Sequence, residues 1–234
     1  MSSMREWQAV PGLQIAIDGP SGSGKGTIAR MLAAEIGLPV LDTGLLYRLI
    51  GAVAIDRGID TDDGDALAKL VAGMLATIAW TEAGVSFAGV NWTAQLRSEE
   101  TGAAASRVAA QPGVREQLLG LQRKLAESGC IMDGRDIGTV VLAKAPAKFF
   151  LTASMRERAR RRWLQLHDQG SADGLEQVLA ELKIRDQRDR ERQHAPLRQA
   201  VDAIVIDSTT LRVDDVVDRM LGVLERRGLI NESA

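Results

Sequence analysis

The sequence predicts an α/β fold: a five-stranded parallel sheet with helices on both faces. Short, continuous apolar runs, the mark of strands buried on both sides, alternate with segments whose apolar residues recur at helical spacing. At 234 residues the chain is long enough to bury a core without staples. The strand candidates are Leu13–Ile17, Pro39–Leu41, Cys130–Met132, Lys148–Thr152 and Ala203–Ile206.

The helices follow in order. Ile28, Leu32 and Ile36 mark the first, with Gly37 as its stop. Leu46, Leu49, Ile50 and Val53 mark a second, ending near Gly58. Leu67, Leu70, Val71, Met74 and Ile78 mark a third, capped by Asp62 or Asp63. Ile78–Trp80, Val85–Phe87 and Val90–Trp92 read as short strands of a β-rich insertion, with Gly84 and Gly89 in the turns. Pro112 opens a further helix through Val114, Leu118, Leu121 and Leu125, closed by Gly129. One very polar helical stretch is expected over Met155–Gln193, and a last helix over Val213–Arg226.

Composition narrows the function. The net charge is −2, and aromatics are only 3%, with Tyr47 the single tyrosine. Neither suits a nucleic-acid binder, which is usually basic and stacks bases on rings. A single cysteine and two histidines exclude a disulfide framework and a thiolate or imidazole metal cluster. No apolar run approaches the ~20 residues that span a bilayer. Residues 1–11 lack the apolar stretch of a signal peptide and read as a frayed lead-in. A soluble cytoplasmic protein, with neither nucleic acid nor membrane as partner, is the expectation.

Gly19-Pro20-Ser21-Gly22-Ser23-Gly24-Lys25-Gly26-Thr27 follows the first strand and opens the first helix. That context suits a phosphate-binding loop (P-loop), in which glycines let backbone N–H groups converge on phosphate oxygens and the lysine adds a cation. The hydroxyl residue that normally follows the lysine and ligates magnesium is replaced by Gly26. GTPases normally keep that hydroxyl, and they need Asn-Lys-x-Asp for guanine. Neither Asn91 nor Asn231 is followed by lysine. The GKGT variant resembles nucleoside monophosphate kinases, in which the metal is held mainly by waters and phosphates.

Asp42-Thr43-Gly44-Leu45-Leu46-Tyr47-Arg48 follows the second strand and Asp133-Gly134-Arg135-Asp136-Ile137-Gly138-Thr139 the third. Arg185-Asp186-Gln187-Arg188-Asp189-Arg190-Glu191-Arg192 and Ala195-Pro196-Leu197 come later. With the glycine loop, these closely resemble the bacterial cytidylate (CMP) kinases from Leu13 to about Leu224. The resemblance implies a three-layer P-loop NTPase fold. Its kinase core would be 12–62, 106–154 and 194–230, its NMP-binding insertion 63–105 and its Arg-rich lid 155–193. It implies transfer of the γ-phosphoryl group of ATP, with Mg2+, to CMP or dCMP by a monomer.

Residue by residue, the resemblance implies that Gly19–Thr27 bind ATP. Arg48, Arg135 and Arg192 hold the CMP phosphate, and Ser106, Arg115 and Asp136 read cytosine. Arg185 and Asp189 lie near the sugar, Thr43 and Tyr47 lie in the CMP motif, and Asp133 orients magnesium through water. Lys25, Arg135 and Arg192 are the catalytic cations. At least one of Arg158, Arg161 and Arg162, which share a helix face, reaches the transferring phosphate from the lid. Asp42 and Asp133 equally suit strand-end turns, Tyr47 core packing and Arg115 a helix surface. Two other functions stay open: a kinase for another small acceptor such as UMP, and a nucleotide-dependent RNA-binding regulator.

Overall fold

The computed structural model describes residues 7–81, 84–93, 95–168 and 170–232. The expected lead-in and β-rich insertion therefore lie partly outside the described residues. Two compact units divide the chain, Met1–Leu41 with Ala126–Arg190 and Ala195–Ala234, and Asp42–Leu125 with Glu191–His194.

The first unit is built on the five-stranded sheet. Its strands are β2 (Gln14–Asp18), β3 (Val40–Asp42), β7 (Cys130–Gly134), β8 (Ala147–Thr152) and β9 (Ile204–Asp207), in the order β3-β7-β2-β8-β9. β2 pairs in parallel with both β7 and β8, and β8 with β9. Every residue of β7, and Ile15 to Asp18 of β2, is buried, so both faces of these central strands are covered. Away from the carboxyl ends, where Asp18 and Asp133 stand, a polar side chain on either face would be left without water, which is why the runs are continuous rather than alternating.

Helix α1 (Lys25–Ile36) lays Ile28, Leu32 and Ile36 on the sheet against Ile15, Ile17 and Phe149, together with α8 (Val213–Arg226). It ends at Gly37, whose φ of 69° is a left-handed cap that favours glycine. Within the expected lead-in, the described residues from Trp7 onward include a strand rather than frayed chain. Trp7–Ala9 forms β1, antiparallel to β10 (Ile230–Glu232), and Trp7 and Ala9 pack on the core beside Ile230. That pairing joins opposite ends of the chain, so nothing local announces it.

The polar stretch at 155–193 is two helices, not one: α6 (Met155–Asp168) and α7 (Leu175–Glu191). Gly170, at φ 86°, and Gly174 lie in the break. Ala159, Leu166, Val178 and Leu182 form a small apolar seam of their own.

The second unit packs α2 (Thr43–Asp56), α3 (Gly64–Met74), α4 (Glu99–Val108) and α5 (Pro112–Leu125) around Leu49, Ile50, Leu67 and Leu118. Asp63 caps α3 by accepting from the Ala66 N–H at 2.9 Å. Gly51 lets α2 and α4 close up, because a Cβ there would stand 2.9 Å from that of Ala104. Strands β4 (Ile78–Thr81), β5 (Gly84–Phe87) and β6 (Val90–Asn91) form the antiparallel β-rich part.

Cys130 is fully buried, and burial pushes its thiol up to about 12. The native protein should therefore be inert to a thiol-disulfide reagent at pH 8 and react with one equivalent in denaturant, read by absorbance. Leu32→Ala empties a fully buried position in α1 and should cost about 2–5 kcal/mol in urea unfolding.

Candidate functional site

The glycine loop leaves the carboxyl end of β2 and enters α1 at Lys25. Its shape depends on two glycines. A Cβ on Gly19 would stand 2.0 Å from the Leu151 carbonyl oxygen, and one on Gly22 would stand 2.8 Å from the Arg158 carbonyl oxygen. Gly22 and Gly24 also take φ values of 74° and 94°. Inside the loop, Ser23 Oγ and Lys25 Nζ both donate to the Pro20 carbonyl, at 3.0 and 2.9 Å. The lysine and the N-terminus of α1 thus share one concave backbone, an arrangement made for phosphate oxygens.

β7 runs beside β2 in register, with Gly134 opposite Asp18, so the Asp133–Thr139 motif leaves the sheet at the same end as the glycine loop. Asp133 is buried, and its Oδ2 lies 3.6 Å from where a Cβ on Gly26 would stand. Arg135 Nε donates to Asp189 Oδ2 of α7 at 2.8 Å. Burial alone would pull the Arg135 pKa down. Asp189, with Asp133 and Asp186 further off, outweighs it and holds the guanidinium above its ordinary value. Asp136 is buried and opens a π-helical turn, Ile137–Val141, a geometry often found at functional sites.

Asp18 stands at the same end of the sheet, and no motif read from the sequence marks it. It is buried, and its carboxylate accepts from the N–H groups of Ile137 and Gly138 at 2.8 and 2.7 Å. Burial pushes its carboxyl up to about 6, assisted by Asp136 and opposed by the two N–H groups and Lys25.

Arg158, Arg161 and Arg162, which share a face of α6, part company in the structure. Arg158 is buried. It donates to the carbonyls of Ala153 and Ser21, at 3.0 and 2.9 Å, and pairs with buried Asp186 at 2.7 Å. It is a strut beneath the loop. Arg161 donates to Ser208 through both terminal nitrogens, at 2.9 and 2.6 Å, and its Nη1 reaches the Ser23 carbonyl at 3.5 Å. Glu157 braces Arg160 and Arg161, and their hydrogen bonds, Arg160's foremost, lower its carboxyl to about 2. Half-buried Arg162 donates to Gln165. Arg185, on the same helix as Asp186 and Asp189, is half-buried.

In the second unit, buried Thr43 starts α2. Tyr47 and Arg115, far apart in sequence, come together as a cation–π pair, the guanidinium carbon 5.6 Å from the ring centre. Arg115 also donates to the Ala109 carbonyl at 3.2 Å. Arg48 Nη1 is anchored on the Leu96 and Ser98 carbonyls at 2.8 and 3.2 Å. The Ser106 hydroxyl is buried on α4 without a hydrogen-bond partner among the described residues. Arg192 is half-buried.

Among the described residues no three His, Cys, Asp or Glu gather as a metal cage, and no helix is long and apolar enough to cross a membrane. One carboxylate beside a phosphate loop, as Asp133 is, fits a magnesium ion that rides on substrate phosphates and keeps its waters.

Comparison with known proteins bears on what this assembly serves. The family model described as cytidylate kinase matches residues 15–226. A cytidylate kinase from Vibrio parahaemolyticus is 45% identical over 218 residues, covering 91% of this chain and 96% of that protein. One from Pseudomonas savastanoi is 46% identical over 220 residues, covering 92% and 96%. An uncharacterized protein from Eubacterium ventriosum has a solved structure of the same fold. The TM-score is 0.53 at 15% identity, with 91% of this chain and 98% of that one covered.

Two measurements test the electrostatics described. Removing either partner of the Arg158–Asp186 pair should cost about 3–5 kcal/mol in urea unfolding, because the survivor is left as a buried, unpaired charge. The paired change to Met and Leu should recover most of that loss. Folding raises the Asp18 carboxyl from 3.8 to about 6, so folding favours its protonated form. That contribution is complete below about pH 4 and is lost as pH rises through about 6. Wild-type stability should fall relative to Asp18→Asn by about 3 kcal/mol across this window.

Proposed function

The chain belongs to the cytidylate kinase family, and from that premise we propose how its residues carry the reaction. It is a nucleoside monophosphate kinase that phosphorylates CMP, with ATP as the donor its family implies. The proposal extends to dCMP as acceptor, to Mg2+ as the accompanying ion and to the role of each residue.

The observation that supports it best is the shared sheet end. There the glycine loop with Lys25 and the Arg135–Asp136 turn leave adjacent parallel strands. The acceptor is itself a phosphate, largely dianionic at neutral pH, so it needs no general base. The task is to hold two polyanions in line and neutralise the charge that develops between them.

Gly19–Thr27 wrap the ATP phosphates, and Lys25 exchanges the Pro20 carbonyl for phosphate oxygens. Asp133 would hold Mg2+ through water, and the ion would supply charge neutralisation on the phosphates. Arg48, Arg135 and Arg192 grip the CMP phosphate, each with the planar fork that matches its oxygens. Asp189 presets Arg135, and Arg185 lies with it near the sugar. Asp136 accepts from the cytosine amino group, with Ser106 and Arg115 on the rest of the base. The buried Ser106 hydroxyl, without a hydrogen-bond partner among the described residues, and the Arg115 guanidinium held over the Tyr47 ring support that reading. Residues 63–105 act as the NMP-binding insertion and 155–193 as the lid. Within the lid the reading divides the labour: Arg161 and Arg162 serve the transferring phosphate, while Arg158 supports the loop.

Turnover on CMP, dCMP, UMP, AMP and shikimate tests the reading. CMP and dCMP should lead, and preference for another acceptor overturns it. Lys25→Ala should lower kcat by a factor on the order of 10²–10³ or more with the circular dichroism spectrum unchanged.

A further inference from the structure

Asp18 sits where the two halves of the chemistry meet. It is the last residue of β2, directly before Gly19, yet its side chain serves a segment over a hundred residues away. Each carboxylate oxygen takes one of two successive backbone N–H groups, those of Ile137 and Gly138, the pair that immediately follows Asp136. The Asp136 carbonyl is held from its other side, accepting from the N–H groups of Val140 and Val141 at 2.8 and 3.2 Å. The peptide that carries the base-reading carboxylate is therefore clamped in both directions.

A neutral side chain could cap such a turn without a buried charge. A carboxylate at 3% exposure is a costly choice, as the upward push on its pKa shows. What the charge supplies is a pair of short, charge-assisted bonds with fixed geometry. Recognition by a specific hydrogen bond depends on that geometry, because a misplaced carboxylate strands a desolvated polar group.

We propose that Asp18 is a positioning residue for base selection, setting the backbone from which Asp136 meets the cytosine amino group. The proposal rests on the reading of Asp136 given above, and it links the phosphate loop to the base-reading turn through one side chain.

The test is the ratio of kcat/KM for CMP to that for UMP, beside the KM for ATP. The two acceptors carry the same phosphate, so a general loss of structure lowers both and leaves the ratio. Asp18→Asn keeps the shape but turns an amide N–H toward a backbone N–H. The ratio should fall about tenfold or more, with the ATP KM within about twofold. Gly138→Ala approaches from the other side and keeps Asp18, because its Cβ would stand 3.3 Å from Asp18 Oδ2 and 3.2 Å from Lys148 Cδ. It should lower the ratio severalfold, and it decides the matter if Asp18→Asn does not fold. An unchanged ratio in the variants that fold, or a loss confined to the ATP KM, overturns the proposal. Asp136→Ala separates the two readings. A ratio that collapses there but survives in the Asp18 and Gly138 variants defeats the positioning role alone. A ratio unmoved in Asp136→Ala defeats the base assignment, and the positioning role with it.

Discussion

The Leu151 carbonyl oxygen lies 2.0 Å from where a Cβ on Gly19 would stand, and the Arg158 carbonyl oxygen 2.8 Å from the same point on Gly22. The phosphate loop is thus folded against main chain from β8 and α6, closer than any side chain allows. Much of the first unit's architecture at this end of the sheet serves that approach. β8 must run beside β2 to present Leu151. α6 must place Arg158 against the loop, and the guanidinium then donates to the part-buried Ser21 carbonyl.

Holding an arginine there requires a counter-charge. Asp186 supplies it from α7, and Asp189, three residues on, holds Arg135. One helix face therefore carries two acids, one for Arg158 under the glycine loop and one for Arg135. The α6 sequence is dense in arginine for more than one reason. Arg158 stabilises the loop, Arg161 leans on its rim, and Arg156 and Arg160 are solvent-facing. A charge run on one helix resolves into buried, half-buried and exposed members because α6 lies against the loop on one side only.

The second unit makes its part of the residue set by different means. Its helices pack closely through Gly51 and bury Ser106, while α2 and α5 bring Tyr47 to Arg115. Tyr47 packs in the core of the second unit and also lies under the Arg115 guanidinium.

Local chemistry wrote several features legibly in the sequence. Continuous apolar runs announce strands buried on both faces. A glycine-rich turn between a strand and a helix, with its lysine, announces a phosphate loop. The Asp133–Thr139 and Arg185–Arg192 motifs carry the resemblance to the cytidylate kinase family, to which the chain belongs. These are legible because period, turn geometry and charge act over a few residues. The β1–β10 pairing, the break between α6 and α7 and helix α4 were not, since each rests on partners distant in sequence or on weak apolar contrast. Nor could the sequence tell Arg158 from Arg161, or show Asp18 as anything but an acid before a glycine loop. Their roles come from which backbone groups the fold brings within hydrogen-bonding reach, and from burial that removes water as the competing partner. Only the tertiary structure decides those two things.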